Sequence, residues 1–482
     1  MKNNPILNII LNTDSYKLSH FKQYPPGTSN QFSYIEARGM SDEIADLYKT
    51  FLPDETPKVI YFGEQAFIKE YLSDPVTHAD IDEAKPFVEA HGFEFNEDGW
   101  RYIVNKYDGV LPIKIRSVRE GTAVPLSNIM ASVEVTDPRC FWLTSYLETA
   151  FLRAIWYPST IASNGMIAKK VIKKYMDETA DYELPELDFK LHDFGARGVS
   201  SLESASLGGM AHLVNFQGTD TISGALAAMR YYNSDMPGFS IPASEHSTIT
   251  AWGKNRERDA FSNMLTQFGG EGKIIACVSD SYDIYNAAEH IWGEDLKEAV
   301  ENSGGTLVVR PDSGDPLVVP IEVIEILMDK FGYTVNSKGF KVLPDYIRVI
   351  QGDGITVSSM SQILSNMRSH KLSASNIAFG MGAGTLQKVD RDTYKFAMKC
   401  SAVEINGTWH DVWKEAPGKD SKRGRLTLVH NCVSKEYRTI EFTEAIDPDE
   451  RNLMDIKYMN GALMSDYIHF DNIRSEAAKE LL

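Results

Sequence analysis

Cysteine is scarce in this chain and widely scattered: Cys140, Cys277, Cys400 and Cys432 are the four among 482 residues, and no two form a CxxC pair. That gives no basis for a disulfide framework or a zinc site, and a reducing, cytoplasmic setting is the expectation. Long apolar runs are also missing. No stretch approaches the ~20 residues of a membrane span. The first one, Ile6 to Leu11, is short, broken by Asn8 and followed by no small-residue cleavage site, so neither a membrane segment nor a signal peptide is expected. Positive charge is in deficit, with 49 Lys and Arg against 67 Asp and Glu and a formal net charge of −18. Such a surface repels a phosphate backbone, which argues against nucleic acid as a partner. Any phosphate ligand must then be held locally, by a few cations and by the backbone N–H groups of Gly-rich turns. The P-loop, the GxGxxG fingerprint with its acidic partner and the GxSxG elbow are all absent, which leaves acyl transfer and the commonest nucleotide folds without support.

What is present is a repeated phrase. From Lys190 onward an apolar, β-rich run ending in acidic, His or Gly residues recurs seven times: KLHDFGARG from Lys190, HLVNFQGTD from His212, GFSIPASEH from Gly238, KIIACVSDS from Lys273, TLVVRPDSG from Thr306, YIRVIQGDG from Tyr346 and NIAFGMGAG from Asn376. The starts lie 22 to 40 residues apart, about one βα unit, and the segments between them read as helices, such as Pro320 to Phe331 with Ile321, Ile324 and Leu327 on one face. Repeated βα units predict a parallel sheet, doubly wound or closed as a barrel, and both place ligands at the carboxyl ends of strands. An eighth β-like run, Phe396 to Ile405, completes or flanks it.

The chain exceeds the ~250–300 residues one core can serve, so two substructures are expected, and the first ~150 residues read as α+β, with alternating runs at Ile113 to Arg116 and Ala131 to Val135 and a polar helical segment near Asp80 to His91. A helix from Phe141 is predicted to stop before Pro158, with an amphipathic one from Thr160 to Thr179 after it. Alternating runs return after Gly407, so the two ends of the chain are expected to form one domain (1–155 with 395–482) beside the barrel (156–394). The basic segment Lys414 to Arg425 reads as a solvated loop.

Four of these phrases carry candidate chemistry. Gly380-Met381-Gly382-Ala383-Gly384 ends a strand and precedes a helical stretch starting at Thr385, a setting in which N–H groups cradle phosphate, though a tight turn explains the glycines as well. Asp312 and Asp353 stand among glycines at strand ends, suited to ribose hydroxyls or a hydrated magnesium ion, or simply to capping the next helix. His246 follows an apolar run and Glu245; a lone His is as readily a structural residue.

At these residues the chain resembles the nicotinate and nicotinamide phosphoribosyltransferase family. The similarity runs from TDSYKLSHFKQYPP at Thr13 through YDGVLPIKI, KLHDFGARGVSS, GTDT, PASEHSTITAWG, VSDSYDIYNA, RPDSGDP, RVIQGDG and NIAFG to LQK and the KCS at Lys399. The resemblance implies the TIM-like (β/α) barrel of the type II phosphoribosyltransferases with a second α+β domain, and a homodimer with shared active sites. It implies transfer of phosphoribose from 5-phosphoribosyl 1-pyrophosphate to nicotinamide, in the presence of Mg2+ and with ATP as co-substrate. Phe194 and the partner subunit's Tyr16 would sandwich the pyridine ring, with Arg197, Asp220 and Arg310 in the same pocket and Asp14 among the substrate-binding residues. Asp312, Gly352 and Asp353 would hold ribose. Gly382 and Ala383 would hold the 5′-phosphate, helped across the interface by Arg391 and Lys399. His246 would be phosphorylated by ATP, with Glu245, Asp280 and Asp312 near it and the magnesium pyrophosphate. Two positions depart from the family: Ala383 stands where it has Gly, and Ala397 where it has Ser. A nicotinate-specific enzyme and a non-enzymatic secreted binding protein of the same fold are the alternatives.

Overall fold

The computed structural model describes residues 8–414, 421–464 and 468–481. Seven antiparallel strands from both ends of the chain make one sheet, in the order Thr408–Asp411, Phe396–Ile405, Thr28–Ala37, Ile129–Val135, Ile113–Ser117, Asp455–Met459 and Ala462–Leu463. Its central members are buried along most of their length, so both faces are covered, and Phe32, Ile35, Ile113, Val133 and Leu428 belong to one core.

The second sheet is parallel. Its order is Gly218–Thr219, Leu191–Asp193, Ile377–Met381, Ile347–Gln351, Thr306–Arg310 and Ile274–Val278. The two edges curl toward each other and are joined by the segment after Gly238, where Phe239 bridges to Gly218 and Ala243 to Ala276. The Thr219 N–H donates to the Phe239 carbonyl and the Ala276 N–H to that of Pro242, both at 2.9 Å. The seven phrases thus supply a TIM-like parallel barrel, with their polar ends on one rim. Helices pack outside it. Val319–Phe331 buries Ile321, Ile324, Leu327 and Met328, each contributing about 1.5–3 kcal/mol.

Several local readings change. The Gly238 phrase forms two isolated bridges rather than a strand, because Pro242 has no N–H to offer a ladder. His212 closes the helix Leu202–His212, and only Gly218–Thr219 of that phrase is strand. Phe396–Ile405 pairs with Thr28–Ala37 and takes no part in the barrel. The helix predicted to stop before Pro158 instead runs unbroken from Glu148 to Thr179. Pro158 leaves the Ala154 carbonyl without its helical N–H, and Gly63 packs into that gap: a Cβ there would lie 2.3 Å from the Ala154 oxygen and 2.6 Å from Pro158 Cγ. The helix is pinned beside the proline by the N–H groups of Phe62 and Ile60, which donate to the Ser159 and Ser163 hydroxyls. The helical stretch placed at Thr385 is one turn, Ala383–Leu386. Of the basic segment, residues 415–420, with Lys419, lie outside the described residues. Lys422 and Arg425 are not simply solvated: they pair with the buried carboxylates of Glu36 and Glu134.

Candidate active site

Phe194 follows the strand Leu191–Asp193, and its N–H donates to the Met381 carbonyl at 2.9 Å. Two glycines make room for its ring. A Cβ on Gly380 would lie 1.9 Å from Phe194 Cε2, and one on Gly352 would lie 3.3 Å from the same atom and 3.1 Å from Asp312 Oδ1. The His192 ring stands 5.1 Å from that of Phe194. His192 Nε2 is 2.9 Å from Asp220 Oδ1, and the Ser240 hydroxyl donates to that same oxygen at 2.6 Å. Burial opposes ionisation of Asp220, but these two hydrogen bonds, with Arg310 nearby, hold its carboxyl below the usual range. The rim therefore presents an aromatic plate beside a charged acceptor. Neither His192 nor Ser240 stood out in the sequence, although His192 lies two residues before Phe194 in the first phrase.

A second group surrounds His246. Its Nε2 is 3.0 Å from Asp280 Oδ1, and the Ser313 hydroxyl donates to Asp280 Oδ2 at 2.5 Å. The imidazole is half exposed while the Asp280 side chain is only 3% exposed. With its proton on Nε2 toward Asp280, the ring leaves Nδ1 as a free lone pair. Arg310 Nε is buried without a hydrogen-bond acceptor, the Asp312 Oδ1 lying 3.5 Å away. Burial pushes the Asp312 carboxyl up, and Asp280 and Asp353 add to this against the pull of Arg310 and His246. Glu257, buried and with Oε1 unpartnered, is pushed up to about 7 by burial and then by Asp283 and Asp280. No sequence signal marked it. Glu245 caps His246–Thr250 and accepts from the Ser247 hydroxyl.

The remaining predicted residues fall into two sets. Gly382 and Ala383 open the one-turn helix, with Ala383 against Gly198 in the turn that carries exposed Arg197. Asp353 is exposed beside Gly352. Away from the rim, Asp14 accepts from the Thr149 hydroxyl at 2.7 Å, Tyr16 is 57% exposed against His20, and Arg391 pairs with Asp392. Lys399 lines a separate pocket with Arg38 and Lys414. Among the described residues no hydrogen bond, ion pair or ring contact joins Tyr16, Arg391 or Lys399 to the barrel rim. A cavity of 920 Å³ continues from His192 and Ser240 down the barrel to Asp181 and Asp345 at the amino ends of the strands.

A hydrated magnesium ion suits the Asp280 and Asp312 side. Burial first, and then Asp280 and Asp353 against the pull of Arg310, raise the Asp312 carboxyl, so a cation bound there would favour its ionised form. Asp280 and Asp312 would each offer a carboxylate oxygen to such an ion, with water completing its shell. No helix among the described residues is long and apolar enough to cross a membrane.

A parallel barrel beside a second α+β domain is the fold of the type II phosphoribosyltransferases, and its rim here joins an aromatic plate, a charged acceptor and Arg310, whose Nε lacks a hydrogen-bond acceptor. The sequence model of the nicotinate phosphoribosyltransferase family matches residues 189–445, and that of the nicotinamide phosphoribosyltransferase N-terminal domain matches residues 8–115. Nicotinamide phosphoribosyltransferase of Xanthomonas campestris is 49% identical over 98% of both chains. That of Mycoplasma pneumoniae is 34% identical over 88% of this chain and 96% of its own. Among solved structures, nicotinate-nucleotide pyrophosphorylase from Pyrococcus furiosus superposes with a TM-score of 0.63 at 15% identity, covering 100% of this chain and 97% of that one. Human nicotinic acid phosphoribosyltransferase does so at 0.54 and 14%, covering 98% and 93%. The chain belongs to the nicotinate phosphoribosyltransferase family.

Proposed function

We propose that the chain transfers the phosphoribosyl group of 5-phosphoribosyl 1-pyrophosphate to nicotinamide, giving nicotinamide mononucleotide and pyrophosphate in NAD salvage. The observation that carries this reading is Asp220, held through Oδ1 by Ser240 and by His192, the imidazole that neighbours the Phe194 ring. Its carboxylate accepts from a carboxamide NH₂ and repels the carboxylate of nicotinate.

The pyridine nitrogen carries no proton, so the reaction needs no general base. Phe194 orients the ring, Arg310 offers its unpaired donor to the anionic substrate, and Asp312 and Asp353 face the ribose. Asp280 and Asp312 would hold a hydrated magnesium ion, which when bound neutralises the leaving pyrophosphate. The free Nδ1 of His246 attacks the γ-phosphorus of ATP as ADP leaves, while Asp280 keeps the Nε2 proton and stabilises the charged ring. Tyr16, Arg391 and Lys399, displaced from the rim, support a homodimer in which each subunit completes its partner's site. Four free thiols fit a cytoplasmic enzyme.

Measured kcat/KM is expected to favour nicotinamide over nicotinate by at least about tenfold, roughly the 1.4 kcal/mol of one such contact; equal values would sink the assignment. His246→Ala is expected to lose ATP hydrolysis and keep slow ATP-independent synthesis. Persistent ATP hydrolysis in that variant would disprove the phosphohistidine. A purified chain that forms no mononucleotide from either base would favour the binding-protein alternative.

A further inference from the structure

We infer that His192 and Ser240 set the choice of base by confining its recognition to one oxygen of Asp220, Oδ2. This rests on the reading of Asp220 as the acceptor for the base.

The two donors converge on one atom. Nε2 of His192 and the Ser240 hydroxyl both reach Oδ1, at 2.9 and 2.6 Å. Oδ2 receives no hydrogen bond from any described residue, and the side chain is 48% exposed at the rim. A carboxylate gripped by one oxygen from two separate segments, the first barrel strand and the bridge after Gly238, cannot turn about its last bond without breaking both contacts. The lone acceptor left to a ligand therefore has a fixed position and direction.

His192 is itself held. Its Nδ1 side lies against Gly218, where a Cβ would come within 2.6 Å, and its other neighbour is the Phe194 ring at 5.1 Å. One imidazole thus spaces the plate that stacks the base from the acceptor that reads its substituent. Its N–H also keeps Asp220 charged. Without that donor the carboxyl would rotate and take up a proton more readily, and a protonated carboxyl donates to the carboxylate of nicotinate as well as it accepts from an amide. Discrimination, rather than turnover alone, should then fall.

The test uses the full-length enzyme and four variants. His192→Phe keeps a ring beside Phe194 and removes the donor; His192→Gln restores an N–H donor; Gly218→Ala displaces the imidazole without changing it; Asp220→Ala removes the acceptor. For each, kcat/KM is measured with both bases, with the KM for 5-phosphoribosyl 1-pyrophosphate, the nicotinamide affinity by calorimetry and the Tm. In His192→Phe and Gly218→Ala the nicotinamide-to-nicotinate ratio is expected to drop about tenfold with the pyrophosphate substrate's KM within about twofold, and His192→Gln should recover most of the ratio. If Asp220→Ala weakens nicotinamide binding while folded His192→Phe and Gly218→Ala keep the parental ratio, the inference is wrong and the reading of Asp220 stands. A rise in both substrates' KM together would also overturn it, since that is general damage. If Asp220→Ala leaves nicotinamide affinity unchanged, the reading of Asp220 fails first and takes the inference with it.

Discussion

Two carboxylates show how differently the outer sheet and the barrel rim treat charge. Asp137, beside the outer sheet, accepts from the Tyr102 hydroxyl at 2.8 Å, the Lys106 ammonium at 2.7 Å, the Arg139 N–H at 2.8 Å and the Tyr107 hydroxyl. Burial alone would raise it, yet these donors hold it well below the usual carboxylate range. Asp312 has one guanidinium at 3.5 Å and is pushed the other way. The contrast extends outward: Glu36 and Glu134 are paired with cations, whereas among the described residues Arg310 Nε, Asp220 Oδ2 and His246 Nδ1 have no hydrogen-bond partner. An unpaired buried polar group costs about 1–3 kcal/mol. Of the three, Arg310 Nε is the buried one, and its cost is tolerated at a rim where an anionic substrate would supply the missing partner.

The largest effect expected from exchanging these roles is on catalysis. Asp312→Asn should lower kcat/KM by roughly 10²–10³ while leaving Tm unchanged or higher, because it removes a charge that burial disfavours more than Arg310 stabilises. Parental kcat/KM in that variant would erase the contrast. Asp137→Ala should do the reverse, costing about 3 kcal/mol of stability, read as a lower Tm, with kcat/KM per folded molecule intact. The smallest effect tests a third treatment of charge. Glu64 is fully buried, and burial and then Glu120 push its carboxyl up to about 8. The native protein keeps a proton that the unfolded chain releases near the ordinary value of 4.5. Stability from this group is full below that value, falls as pH rises, and is lost above about 8. Glu64→Gln should therefore raise Tm by a few degrees more at pH 9 than at pH 6, and a pH-independent shift would refute the buried proton.

The barrel was legible because each βα unit announces itself twice, by an apolar run and by the polar residues that end it. Partners were not legible in the same way. Alternation marked Ile113–Ser117 and Phe396–Ile405 as strands, but nothing local says that Phe396–Ile405 leaves the barrel for Thr28–Ala37. Pro158 misled for a related reason, since the gap it makes is filled by Gly63, distant in sequence. At the site, motifs pointed to Phe194, Asp220, His246 and Asp312, which the fold gathers on one rim. His192 and Ser240 carry no motif, and their meaning comes from an oxygen they share across the barrel closure.

The pairing of Thr28–Ala37 with Phe396–Ile405 also orders events during synthesis. The early strand leaves the ribosome about 360 residues before its neighbour, which at roughly 5–20 residues per second is tens of seconds. Throughout that interval the middle of the outer sheet is an open edge, able to pair with another nascent chain. The barrel, whose strands all lie between residues 191 and 381, is complete before that edge closes, so the last strand docks onto a sheet beside an already folded barrel.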